Sequence, residues 1–155
     1  IKFHKLVATV IGVGYIGKGG GSVVAALYCI IYYWLGNQII LGFVSIPLTL
    51  FVIILGVWSS NNLAGLWGED NKNIVIDEVA GMQISLLFIP PSLFNIVCAF
   101  VLCRFFDIVK PLYIKKTEKL PKGWGVMFDD VLAGLYSNII LQIIIITVSK
   151  YAYAY

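Results

Sequence analysis

The chain is a series of apolar runs separated by short polar breaks, and the lengths of those runs predict helices. A first helix is predicted from about Ser22 to Leu35 and a second from Gln38 to Ser59. A third runs from about Ile74 to Ile89, a fourth from Ser92 to Val109 and a fifth from Phe128 to Val148. The second and fifth reach the roughly 20 residues needed to cross a bilayer. The others lie at the lower margin, and the first fits a re-entrant or tilted piece. Leu6–Ile16 reads as a further short helix packed on the cytosolic side. Turns are marked by Gly36-Asn37 and by Pro90-Pro91-Ser92, where proline stops one helix and serine can cap the next. The expected fold is all-α: an integral membrane bundle of four to five short transmembrane or interfacial helices, in a single domain over residues 1–155.

The breaks differ in charge. Gly36-Asn37 and Pro90-Pro91 carry none, whereas the opposite loops hold Lys2, Lys5, Lys72, Lys110, Lys115, Lys116, Lys119 and Lys122. The positive-inside rule then places the lysine-bearing loops in the cytoplasm. Tyr32, Tyr33 and Trp34, and the terminal Tyr151, Tyr153 and Tyr155, fall where an aromatic belt is expected on the other side. Composition agrees with a membrane protein: 60% of residues are hydrophobic and 12% charged, and the mean hydropathy is +0.93. A net charge of +3 is too small to suggest a nucleic-acid partner. Cys29, Cys98 and Cys103 lie in apolar runs and define no disulfide framework. The opening IKFHKLVATVIGVGYIG has lysines before an apolar run but no small-residue cleavage site, and is read as mature protein.

Against this background five carboxylates stand out, in a chain with eight acidic residues in all. Asp77 and Glu78 lie in NIVIDEVAGM, Asp107 in RFFDIVKP, and Asp129 and Asp130 in GVMFDDVLAG. A carboxylate at mid-bilayer costs roughly 2.5–3.5 kcal/mol, so these groups must sit at an interface or be neutralised by a cation. The predicted topology brings them to one layer, the cytoplasmic interface. Acidic residues at helix N-termini also complement the helix dipole, which is the plainer reading of either pair alone. Gly81 follows Asp77, and Gly134 follows Asp130, by four residues. Each acid therefore shares a helix face with a residue that leaves room for close helix packing or for a ligand.

Arg104, Asp107 and Lys110 recur along one helical face. They can form an internal salt bridge or present cations to a phosphate. Five acids against these two cations leave a formal charge of about −3, which would repel an anionic substrate unless a divalent cation intervened. Oxygen-only ligands suit Mg²⁺ rather than Zn²⁺. Ahead of the first helix, GVGYIGKGGGS ends at Ser22, a predicted N-cap, and a glycine-rich loop before a helix is a potential anion site. It is not a Walker A sequence. Cys98 and Arg104 have the C-x5-R spacing of cysteine phosphatases, but the intervening AFVLC lacks glycine and reads as helix. No D-x-D pair for an aspartyl-phosphate enzyme is present, and His4, the only histidine, reads as an ordinary surface residue. An ion- or proton-coupled transporter is the competing class for buried acids, although these acids gather at one face instead of marking a path across the membrane.

IVIDEVAGM, RFFDIVKP and GVMFDDVLAG resemble, in order and spacing, the signature blocks of the phosphatidylglycerophosphatase A family. The resemblance spans roughly Gly12 to Leu141. It implies a bacterial inner-membrane, multi-pass enzyme facing the cytoplasm, which uses Mg²⁺ to remove the terminal phosphate of phosphatidylglycerophosphate in phospholipid biosynthesis. By match to the blocks, Asp77, Glu78, Asp107, Asp129 and Asp130 take candidate catalytic roles. Asp77, Glu78, Asp129 and Asp130 are the expected metal ligands, and Asp107 completes or orients the site. Arg104, Lys110, Lys18, Gly21 and Ser22 are the expected phosphate-binding residues. The glycine-rich block departs from the family pattern, lacking its two prolines and its threonine.

Overall fold

A computed structural model describes residues 1–36, 41–68, 71–111, 113–117 and 119–152. Among them the chain is all-α and contains no strand. Seven α-helices follow in order: α1 (Lys2–Ala8), α2 (Gly20–Gly36), α3 (Leu41–Trp67), α4 (Ile76–Ser85), α5 (Leu93–Val109), α6 (Ile114–Thr117) and α7 (Gly123–Ala152), with a 3₁₀ turn at Val13–Ile16. Within α3 and α7, Val44–Trp67 and Gly123–Lys150 are long and apolar enough to cross a membrane. The expected turn at Asn37 and the first residues of the second predicted helix, 38–40, lie outside the described residues, as do Tyr153 and Tyr155.

Helices α4 and α7 form the spine. A first apolar cluster packs Ala25 and Tyr32 of α2, Met82 of α4, Ala99 and Cys103 of α5 and Leu141 of α7. A second joins Ala8 of α1, Val57 and Leu63 of α3, Ala80 of α4 and Met127 of α7. The two spine helices meet through glycine. A Cβ on Gly81 would lie 2.9 Å from the Asp130 carbonyl oxygen, and a Cβ on Gly134 would strike the Gly81 carbonyl. The i+4 glycines therefore serve close backbone approach, the packing use foreseen for them in a membrane protein.

Helix boundaries differ from the periodicity in three instructive places. The third helix is only ten residues long, not the sixteen or so that Ile74–Ile89 suggested. The carbonyl of its last residue and those just beyond it are taken by side chains of other helices: Asn138 Nδ2 donates to the carbonyls of Ser85 (3.1 Å) and Leu87 (2.8 Å), and Tyr32 Oη to those of Leu86 (3.1 Å) and Ile89 (2.7 Å). Helix α3 continues past Ser59 to Trp67 because Ser59 and Ser60 are buried in packing. Helix α7 begins five residues ahead of Phe128, where Asn61 of α3 accepts a hydrogen bond from Gly123 N at 2.9 Å. Ser92 does cap α5, accepting from Asn95 N. The segment Leu6–Ile16 is not one helix but the end of α1, a turn and the 3₁₀ element. His4 is half-buried, edge-on to Trp58 with ring centroids 4.6 Å apart, and is not the surface residue expected.

Candidate active site

The acidic residues are delivered by three helices that meet at one end of the bundle. Asp77 and Glu78 occupy the first turn of α4, as helix-dipole complementarity favours. Asp129 and Asp130 do not occupy the first turn of α7, which starts at Gly123. Dipole effects fade within a turn, so the plain reading does not account for this pair. Asp107 lies in the last turn of α5, which runs opposite to α4 and α7, so its C-terminal end meets their beginnings.

Arg104 organises the centre. Its Nη1 donates to Glu78 Oε1 at 2.7 Å and lies 3.2 Å from Asp107 Oδ2, while Nη2 pairs with Glu78 Oε2. Lys110 caps α5 in the left-handed conformation, φ 47° and ψ 54°. This turn carries its Nζ to Asp129 Oδ2 at 2.9 Å. A non-glycine residue in that region is strained, and here the strain delivers an ammonium to a carboxylate. Both cations are engaged in internal ion pairs, one of the two possibilities their spacing allowed.

One carboxylate oxygen from each of Glu78, Asp107 and Asp130 lies within 4.8 Å of the others. Opposite ligands around Mg²⁺ stand roughly 4 Å apart, so the three oxygens are close enough to share one small ion. Asp130 Oδ1 is buried and receives no hydrogen bond, leaving a hard oxygen donor without a partner. The donor set is all oxygen, and it fits a hard divalent cation. It brings in Asp107, which was expected to complete or orient the site, while Asp129 turns to Lys110. Asp77 lies on α4, which is too short to cross a bilayer. Desolvation above all, then Asp129 and Asp107, push its carboxyl well above the usual range against the opposing pull of Arg104. A cation would reverse that imbalance.

The glycine-rich segment contributes through one residue. Gly21 packs directly on Glu78, whose carboxylate fills the space a Cβ would need. Helix α2 starts at Gly20, so Ser22 lies inside its first turn and is exposed; it is not the N-cap predicted. Gly17 and Gly19 adopt positive φ of 84° and 99°, a conformation that favours glycine, and Lys18 between them is exposed. The contact of Gly21 with Glu78 spans 57 positions of sequence, and no local signal could have found it.

A family model described as Phosphatidylglycerophosphatase A matches residues 6–145. A Bacteroides thetaiotaomicron protein that carries the provisional name phosphatidylinositol-3-phosphatase is 38% identical over 146 residues, covering 89% of this chain and 91% of that one. The Phosphatidylglycerophosphatase A of Haemophilus influenzae is 38% identical over 128 residues, 81% of this chain and 76% of the relative. That of Escherichia coli is 37% identical over 95 residues, 59% and 55% respectively. No solved structure matches the chain.

Proposed function

Because the chain belongs to the phosphatidylglycerophosphatase A family and is thus a lipid phosphatase, we propose that it hydrolyses phosphatidylglycerophosphate to phosphatidylglycerol and phosphate. In this reading it depends on Mg²⁺ and works at the cytosolic leaflet of a bacterial inner membrane, as a multi-pass protein whose shorter helices are embedded beside α3 and α7. The observation that carries the mechanism is the convergence of Glu78, Asp107 and Asp130 oxygens from three helices.

Those three residues would hold Mg²⁺, with Asp77 and Asp129 adding negative charge around it. The chemistry a bound Mg²⁺ supplies is neutralisation and polarisation of an anionic phosphate among carboxylates. Arg104 and Lys110 are the cations nearest the cluster, and an arriving phosphate would compete with Glu78 and Asp129 for them. The planar guanidinium suits the phosphate oxygens, and Lys18 and Ser22 at the mouth of α2 would meet the headgroup first. A carboxylate released from its ion pair, Asp129 foremost, is the proposed proton acceptor for the attacking water.

The test is phosphate release from lipids in mixed micelles, with Mg²⁺ and with chelator. Phosphatidylglycerophosphate, phosphatidylinositol 3-phosphate and phosphatidic acid should be compared, since the relatives carry different substrate names. Release from phosphatidylglycerophosphate that stops on chelation is the expected result. Preference for the inositol lipid would replace the substrate, and undiminished release after exhaustive chelation would remove the metal.

A further inference from the structure

Along α5, Asp107, Arg104, Phe100 and Ile96 succeed one another at spacings of three and four residues and so share one helix face. Along α2, Ser22, Ala26, Cys29 and Tyr33 do the same. On α5 the face is charged at the carboxylate cluster and apolar beyond it; on α2 it is apolar beyond Ser22, whose neighbour Gly21 packs on Glu78. Between the apolar halves lies an open groove of about 320 Å³, lined by Ala26, Cys29, Tyr33, Ile96, Val97 and Phe100 among others. It starts close to the charges: Ala26 is about 7.5 Å of helix rise beyond Gly21, and Phe100 about 6 Å from Arg104. From Ala26 to Tyr33 it continues for about 10 Å.

We propose that this α2–α5 groove receives an acyl chain of the phosphorylated lipid while the headgroup lies at the carboxylate cluster. The inference rests on the phosphatase reading above and extends it to how the substrate is held. A charged end on α5, beside the Gly21–Glu78 contact of α2, in line with an apolar trough between the two helices matches a molecule whose charged head and tail are covalently joined. A second copy of the chain would have no reason to place an apolar segment in line with the charges. Bilayer tails are as apolar as the groove wall, so seating a chain there gives little affinity over the surrounding lipid. What it gives is alignment, because a held tail fixes where the phosphate comes to rest.

Two measurements test this. Ala26→Phe and Val97→Trp fill the groove from opposite walls. In each variant the ratio of kcat/KM for dipalmitoyl over dihexanoyl phosphatidylglycerophosphate should fall about tenfold, equivalent to about 1.4 kcal/mol. Taking the ratio within one variant cancels any general loss of active protein. An unchanged ratio in both would overturn the proposal. Independently, phosphatidylglycerophosphate with a diazirine at one acyl terminus should cross-link to groove residues. Excess unlabelled phosphatidylglycerophosphate should suppress those adducts, and phosphatidylcholine should not. Adducts suppressed equally by phosphatidylcholine would assign the groove to bulk lipid, and protein–protein cross-links from Val97→Cys would assign it to a second copy; either overturns the proposal. If the wild-type protein released phosphate from no lipid, the phosphatase reading would fall, and the competition experiment alone would decide the groove.

Discussion

Gly21 of α2 and Glu78 of α4 are in direct contact, with the Glu78 carboxylate occupying the place where any side chain on residue 21 would begin. Gly21→Ala should therefore act on Glu78 and leave the fold intact. The displaced group is a side chain and not backbone, but it carries the ion pair to Arg104, so the stability loss should be roughly 0.5–3 kcal/mol, the ordinary range for a single substitution. A shift of about 1 Å in a group that positions the reaction can cost about 10²-fold, and turnover should fall on that scale. Thermal unfolding in detergent, measured beside phosphate release, separates the two effects.

At the α4–α7 crossing the outcome reverses. A Cβ on Gly81 or Gly134 meets backbone, which cannot swing aside. Gly134→Ala should destabilise by roughly 1–3 kcal/mol through overpacking. Gly65→Ala supplies the contrast, because nothing lies within 4 Å of its Cβ position. Unfolding midpoints should fall for the first variant and hold or rise for the second.

Asp130→Asn and Asp129→Asn, two neighbours on α7, should differ in their response to Mg²⁺. Asp130 shares the oxygen cluster with Glu78 and Asp107, whereas Asp129 is held by Lys110. Loss of Asp130 should raise the Mg²⁺ concentration needed for half-maximal turnover by at least about 10²-fold. Loss of Asp129 should lower turnover at saturating Mg²⁺ with a smaller change in that concentration. Equal Mg²⁺ titration curves for the two variants would contradict the assignment of ligands.

Tyr32→Phe removes the hydroxyl that donates to Leu86 and Ile89. The Leu86 carbonyl keeps its bond from Ile89 N, so the cost, roughly 1–3 kcal/mol, comes from the Ile89 carbonyl just beyond α4. The site lies at the other end of that helix, so turnover per folded molecule should change little. A large loss of turnover without loss of stability would show that the end of α4 is coupled to the site.

Much of this was legible in the chain because apolar period and charge placement are local properties. The two long helices, the serine cap on α5, the Arg104–Asp107 pair and the gathering of acids from three helices all followed from spacing. The helix ends were hidden wherever a partner comes from elsewhere: Asn61 starts α7, and Tyr32 and Asn138 finish α4. The grouping of Asp107 with Glu78 and Asp130, instead of Asp129, depends on how three helices rotate about their axes. Side-chain spacing within one helix says nothing about that.

Arg104 spans Glu78 and Asp107, so two of the three grouped acids have a permanent counterion within the chain itself. Small zinc modules, by contrast, stay unfolded until their ion arrives. Here the guanidinium ties α5 to α4 with no cofactor needed. Under the proposed Mg²⁺-dependent mechanism, assembly and activation would be separate events: the polypeptide could be packed and stored as a metal-free precursor. On that reading a divalent ion would set when the enzyme works, with no new folding required.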